Sequence, residues 1–147
     1  MKESGALDGV LETLDKYKVD ENKLILNIGV SSNATNAASD ERLNKIRKLF
    51  PNCIINLSPG SSDIEDEHYG TKTINALIEY AKIAKKPVMF PLRAEYVTKE
   101  IVEKLKPYGK IAIWNSASTF NPKDVQGEID KFRSWGVDGI IDIMTNH

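Results

Sequence analysis

The chain has 147 residues, with 20 Lys and Arg against 21 Asp and Glu, which suits a single domain over 1–147 with a real core. The near balance of charge argues against a nucleic-acid footprint, and Cys53, the lone cysteine, rules out an internal disulfide or a Cys-based metal cage. No apolar run approaches the roughly 18 residues that cross a bilayer. "MKESGALDGV" also lacks the apolar core of a signal peptide. Cytoplasm is therefore the default compartment, unless a secretory signal lies upstream.

In chain order, "ALDGVLETLDKY" (6–17) sets Leu7, Val10, Leu11 and Leu14 on one helical face. "KLILNIGV" (23–30) is an apolar run of strand length. "SDERLNKIRKLF" (39–50) returns to helical spacing, with Ser39 or Asp40 as N-cap. "CIINLS" (53–58) predicts the next strand, and Thr71 is positioned to cap a helix through "KTINALIEYAKIAKK". "PVMFPL" (87–92) is the third strand, and Thr98 caps a helix that closes near Gly109. "KIAIWN" (110–115) is the fourth strand. Asn121-Pro122 opens a helix that buries Val125, Ile129 and Phe132 and stops at Gly136. "VDGIIDIM" (137–144) is the fifth strand.

Strands that are apolar throughout, alternating with helices, predict an α/β fold with a parallel sheet covered by helices. Two architectures share this pattern, the open doubly wound sheet and the (β/α)8 barrel. No GxGxxG or GxxxxGK[ST] follows any strand, which argues against nucleotide-binding versions. Five strands also fall short of a complete eight-stranded barrel of about 250 residues.

Function in parallel α/β folds gathers beyond the C-terminal ends of the strands. The residues read at those ends are Asn27, Ser58, Arg93, Trp114 with Asn115, and Asp142. Arg93 is the sharpest case, because an unpaired charge is costly beside a buried strand. Each has a plainer reading. Arg93 would pair with Glu95 or Glu100, the asparagines would satisfy turns, Trp114 would be core, and Asp142 would cap a turn or bridge to Arg93. His68 and His147 fall at no strand end and are weak candidates for base or metal ligand. The acidic stretch Asp63, Glu65, Asp66 and Glu67 lacks the EF-hand pattern. "NLSPGSS" contains no GxSxG elbow for a serine hydrolase.

"FPLRA" (90–94), "KIAIWN" (110–115) and "GIIDI" (139–143), preceded by "LNIGV" (26–30) and "FPNCIINLSPG" (50–60), together resemble the menorin family. "YGKIAIWN…WGVDGIID" is similar to the tail of the related glycerophosphodiester phosphodiesterases. The resemblance implies the C-terminal half of a TIM-type (β/α)8 barrel of the PLC-like phosphodiesterase type. The catalytic His-Arg, the metal-holding Glu and Asp, and the second His of those enzymes have no counterpart here. The family's Trp after "LSLG" is replaced by Pro59-Gly60, and its Thr-Asp pair by Asp142-Ile143. Lys2 stands as a remnant of the Lys that ends the family's fourth strand.

The expectation is a non-catalytic portion of such a barrel, with Arg93, Asn27, Trp114, Asp142 and Lys2 lining an anion pocket for a small phosphate-containing ligand. No cofactor is evident in the chain, and Ca or Mg would enter only with a complete phosphodiesterase site. Self-association or a missing N-terminal half-barrel would cover the exposed sheet edges. Two alternatives stay open. One is a contributing half of an active phosphoric diester hydrolase. The other is an extracellular interaction module, since animal menorins act outside cells in neuronal patterning.

Overall fold

A computed structural model describes residues 4–30, 41–59, 69–115 and 125–142. Helix α1 (Ser4–Lys16) and a short 3-10 turn (Glu21–Lys23) lead into β1 (Ile25–Val30). Then follow α2 (Glu41–Leu49), β2 (Ile54–Pro59), α3 (Thr71–Ala84), β3 (Val88–Arg93), α4 (Lys99–Leu105), β4 (Lys110–Asn115), α5 (Val125–Ser134) and β5 (Gly139–Asp142). The strands form one all-parallel sheet in the order β1-β2-β3-β4-β5, so the α/β reading with a parallel sheet holds. A doubly wound sheet reverses its strand order at a switch point. Here every crossover advances one strand in the same direction.

Right-handed crossovers that all advance one way place their helices on one face. Accordingly α1 packs on α2, α2 on α3 and α3 on α4, while Phe132 of α5 joins the same core. Alternate strand residues point into that core: Ile28 and Val30, Ile55 and Leu57, Val88, Phe90 and Leu92, then Ile111 and Ile113. The period of two follows from the pleat. It also consigns the intervening residues to the opposite face, against which no described helix packs.

Local boundaries moved where turn chemistry outweighed hydropathy. The first strand starts at Ile25, not Lys23, because the Asp20 side chain accepts the Asn22 N–H and winds Glu21–Lys23 into the turn. Thr71 does not cap α3. It is the first helical residue, and Gly70 precedes it with no side-chain cap. Thr98 caps α4 as expected, accepting the Ile101 N–H at 3.3 Å, but that helix ends at Leu105. Gly136, at φ +93°, lies just beyond α5, a backbone state that favours glycine. Ser39, Asp40 and Asn121-Pro122 lie outside the described residues.

The edge of the sheet where the strands begin is tied together by polar bonds. Arg47 of α2 donates from Nε to Ala84 O (2.5 Å) and from Nη1 to Cys53 O (2.6 Å). Its Nη2 reaches both Lys85 O and Pro87 O at 2.7 Å. One guanidinium thus joins the end of α3 to the approaches of β2 and β3, and burial pushes its pKa below the usual arginine value. At the other flank, Asp138 accepts from Lys106 Nζ (2.6 Å) and the Ile111 N–H (2.9 Å). Between them Gly109 comes so close to β3 that an added Cβ would stand 2.6 Å from Val88 O.

Candidate functional site at the strand ends

Register assigns the open face row by row. Asn27 pairs with Asn56, Asn56 with Met89, and Met89 with Lys110. Two residues further along, Gly29 pairs with Ser58, Pro91 with Ala112, and Ala112 with Gly139. The last row pairs Arg93 with Trp114. This face is half-exposed over most of its area: Ile25 is 52% exposed, and a Cβ added at Gly29 or Gly139 would meet nothing within 4 Å.

The sequence-predicted residues therefore do not form one cluster. Arg93 ends β3, with Trp114 beside it on β4. Asn27 is the third residue of β1, not its end, because the strand continues through Ile28, Gly29 and Val30. Its row is that of Met89, so it lies about 13 Å down the sheet from the Arg93 row at about 3.3 Å per residue. There its Oδ1 accepts from Asn56 Nδ2 (3.0 Å) and from the Ser58 hydroxyl (2.5 Å). Asn56 Oδ1 is shielded and has no partner among the described residues. Asn115 and Asp142 end β4 and β5 and face each other in register; their side chains lie outside the described part. Lys2, His68, His147 and the acidic stretch 63–67 also lie outside it.

Arg93 is surrounded by groups that the sequence reading did not assemble. Its guanidinium carbon sits 5.0 Å from the Tyr96 ring centroid and 5.1 Å from that of Trp114, a cation between two π faces. Glu95 forms an ion pair with it, the plainer alternative considered for this residue. Tyr69 packs edge-on to Tyr96 at 5.5 Å, and its hydroxyl accepts the Arg93 backbone N–H at 2.8 Å. Burial pushes the Tyr69 phenol above its usual pKa, against the lowering effect of the Arg93 N–H. The phenol thus stays protonated and keeps its own O–H to donate.

Pro91 explains why Tyr69 can reach that N–H. Ile55 N donates to Pro87 O, and hydrogen bonding alternates along a strand, so Met89, Pro91 and Arg93 also direct their backbone groups toward β2. Proline has no N–H to give. The β2–β3 ladder accordingly stops at Asn56–Met89, whereas β3–β4 runs on to Arg93–Trp114. The Arg93 N–H is left without a strand partner and takes the tyrosine. "FPLR" therefore builds a notch between two strands, and its proline was the legible signal. Tyr69, 24 residues earlier in sequence, carried no signal beyond its place after the acidic stretch.

Among the described residues, no group of His, Cys, Asp and Glu stands ready to hold a metal ion, and no helix is long and apolar enough to cross a membrane. No protein-family model, curated protein or solved structure matches the chain. The fold and site define a singly wound parallel α/β sheet with an arginine–aromatic cluster at the carboxyl ends of its central strands.

Proposed function

We propose that the chain is a non-catalytic portion of a menorin-like, glycerophosphodiester-phosphodiesterase-related barrel, with a residual anion-binding pocket at Arg93. The observation that carries this reading is the pairing of Arg93 with Trp114 at the carboxyl ends of adjacent parallel strands, on the face that no described helix covers. In a closed barrel that face would be the interior and those ends the mouth. Support also comes from the consecutive strand order, since a barrel segment advances one strand per crossover.

Strand arithmetic sharpens the proposal. If Gly139–Asp142 is the eighth strand, β1 is the fourth, so a completing half supplies three strands rather than four. Lys2 precedes α1 and then falls one strand too early to be the Lys that ends the fourth. The pocket in this reading rests on Arg93 and Trp114, with Tyr69 as an added donor, while Asp142 pairs in register with Asn115, one row beyond Trp114. Either a separate N-terminal half or a second copy of the chain would cover the open face.

Glu95 sets the strength of the pocket. An anion must share the guanidinium with a carboxylate already in place, so binding is weak and salt-sensitive. Glu95, the carboxylate beside Arg93, is held by the arginine and so is poorly placed to act as a base. The test is thermal melting in phosphate or sulfate. Phosphate should raise the melting temperature of the wild-type chain, raise it more in Glu95→Gln, and leave Arg93→Ala unmoved. Equal shifts in all three proteins make Arg93 structural only. Calcium- or magnesium-dependent turnover of glycerophosphodiesters that a chelator abolishes would overturn the non-catalytic part.

A further inference from the structure

A concavity lies at the end of the sheet opposite Arg93, where β2, β3 and β4 begin. It encloses about 300 Å³, the lower end of the range, about 300–1,000 Å³, in which small-molecule sites fall. Ile54, Pro87 and Met89 supply apolar walls, while Val88, whose side chain is in the core, and Gly109 supply backbone. Lys86, Lys106 and Lys110 line the remainder, where long stems can cover apolar surface while the ammonium groups stay wet.

The three lysines differ. Lys106 is held by Asp138 at 2.6 Å, so its charge is already matched. Lys86 and Lys110 make no ion pair among the described residues and are exposed, although Lys110 also lies within the field of Asp138. Nearby lysines are also neutralised locally, Lys82 by Glu79 and Lys104 by Glu100. The wall is held in place, since Arg47 bonds the carbonyls on either side of Lys86, those of Lys85 and Pro87. Gly109 keeps the opposite wall against Val88 O. An apolar hollow with fixed walls and an excess of cations at its rim, where one carboxylate, Asp138, serves both Lys106 and Lys110, complements a ligand with an apolar body and one anionic end. A bare inorganic anion would leave the hollow unfilled, and an uncharged hydrocarbon would leave the rim unmatched.

We propose that this hollow binds a small amphipathic carboxylate, its chain against Ile54, Pro87 and Met89 and its head group between Lys86 and Lys110. The site is independent of the Arg93 pocket, which sits four residues further along β3.

The probe is octanoate below its micellar range, read by the methyl resonance of Met89, one of three methionines in the chain. Octanoate should shift the Met89 methyl saturably. Octanol should bind about tenfold more weakly or worse, a gap of about 1.4 kcal/mol, and acetate should leave the methyl unmoved. Lys86→Gln with Lys110→Gln should weaken octanoate to the level of octanol, and Arg93→Ala should bind octanoate like the wild type. An unmoved Met89 methyl, equal affinity for octanol and octanoate, or undiminished binding in the double lysine variant would each overturn the site. Loss of octanoate binding in Arg93→Ala with an unchanged fold would also overturn it, by placing the ligand at the other end of the sheet.

Discussion

Arg47 and Arg93 occupy opposite ends of the same sheet and do different work. Arg47 spends its guanidinium on main-chain carbonyls of three segments. Arg93 meets side chains instead, namely a carboxylate and two aromatic faces, all of which can rearrange. A guanidinium bonded to carbonyls fixes backbone and leaves nothing to offer a ligand. One held by side chains at a half-exposed strand end can exchange partners. The difference teaches that burial of charge does not by itself mark a site; what the charge is bonded to decides.

The comparison is broken most severely at Arg47. Arg47→Ala takes the guanidinium from four carbonyls, of which Pro87 O keeps the Ile55 N–H, so we expect a loss of about 3 kcal/mol in urea unfolding. Arg47→Lys should recover little of it, because an ammonium cannot reproduce the planar fork. A loss below about 1 kcal/mol would mean that water replaces the arginine at those carbonyls.

Gly109→Ala comes next. Its Cβ would stand 2.6 Å from Val88 O and 3.1 Å from the Phe90 ring, so the turn before β4 must move away from β3. A cost of about 1–3 kcal/mol is expected, as for other overpacked sites.

Asp138 tests the same end through pH. Burial raises its pKa, but the Lys106 ammonium and the Ile111 N–H outweigh that, leaving it below the usual carboxylate value. A carboxylate depressed in the folded state contributes stability above its unfolded value of about 3.9. That contribution is lost as pH falls through the lower folded value. Asp138→Asn should therefore cost about 1 kcal/mol at neutral pH, the scale of a partly exposed charged pair, and the deficit should shrink toward pH 3. A deficit that stays constant with pH would place the loss in packing.

The smallest stability effect belongs to Arg93. Arg93→Ala breaks a half-exposed ion pair and two cation–π contacts, and should cost under about 1 kcal/mol in unfolding. Its consequence should appear in anion response, the reverse of Arg47. If Arg93→Ala proved as costly as Arg47→Ala, the contrast between the two ends would fail.

Much of the frame was legible because hydropathy is periodic. Five strands, five helices and the parallel α/β class follow from apolar runs and caps such as Thr98. The site was only partly legible. Arg93 and Trp114 stood out as polar or amphipathic residues closing apolar runs, and they do meet. Asn27 misled because "LIL" resembles a completed strand, although the chain stays extended through Val30 and places Asn27 near the middle of it. Tyr69 and the carbonyl bonding of Arg47 were invisible, since neither a tyrosine after an acidic stretch nor an arginine in "NKIRKLF" announces a partner many residues away.

The sequence by itself determined which segments are helix or strand, because those choices depend on neighbours a few positions apart. It did not determine every core residue: Val10 and Leu49, read on buried faces, are exposed, and only alternate strand residues reach the core. Tertiary structure alone decided that the strands run in consecutive order, and that Pro91 ends one ladder while the next continues. It likewise decided that one arginine braces backbone while the other stands between aromatic rings. Those outcomes depend on register between segments tens of residues apart, which local periodicity does not encode.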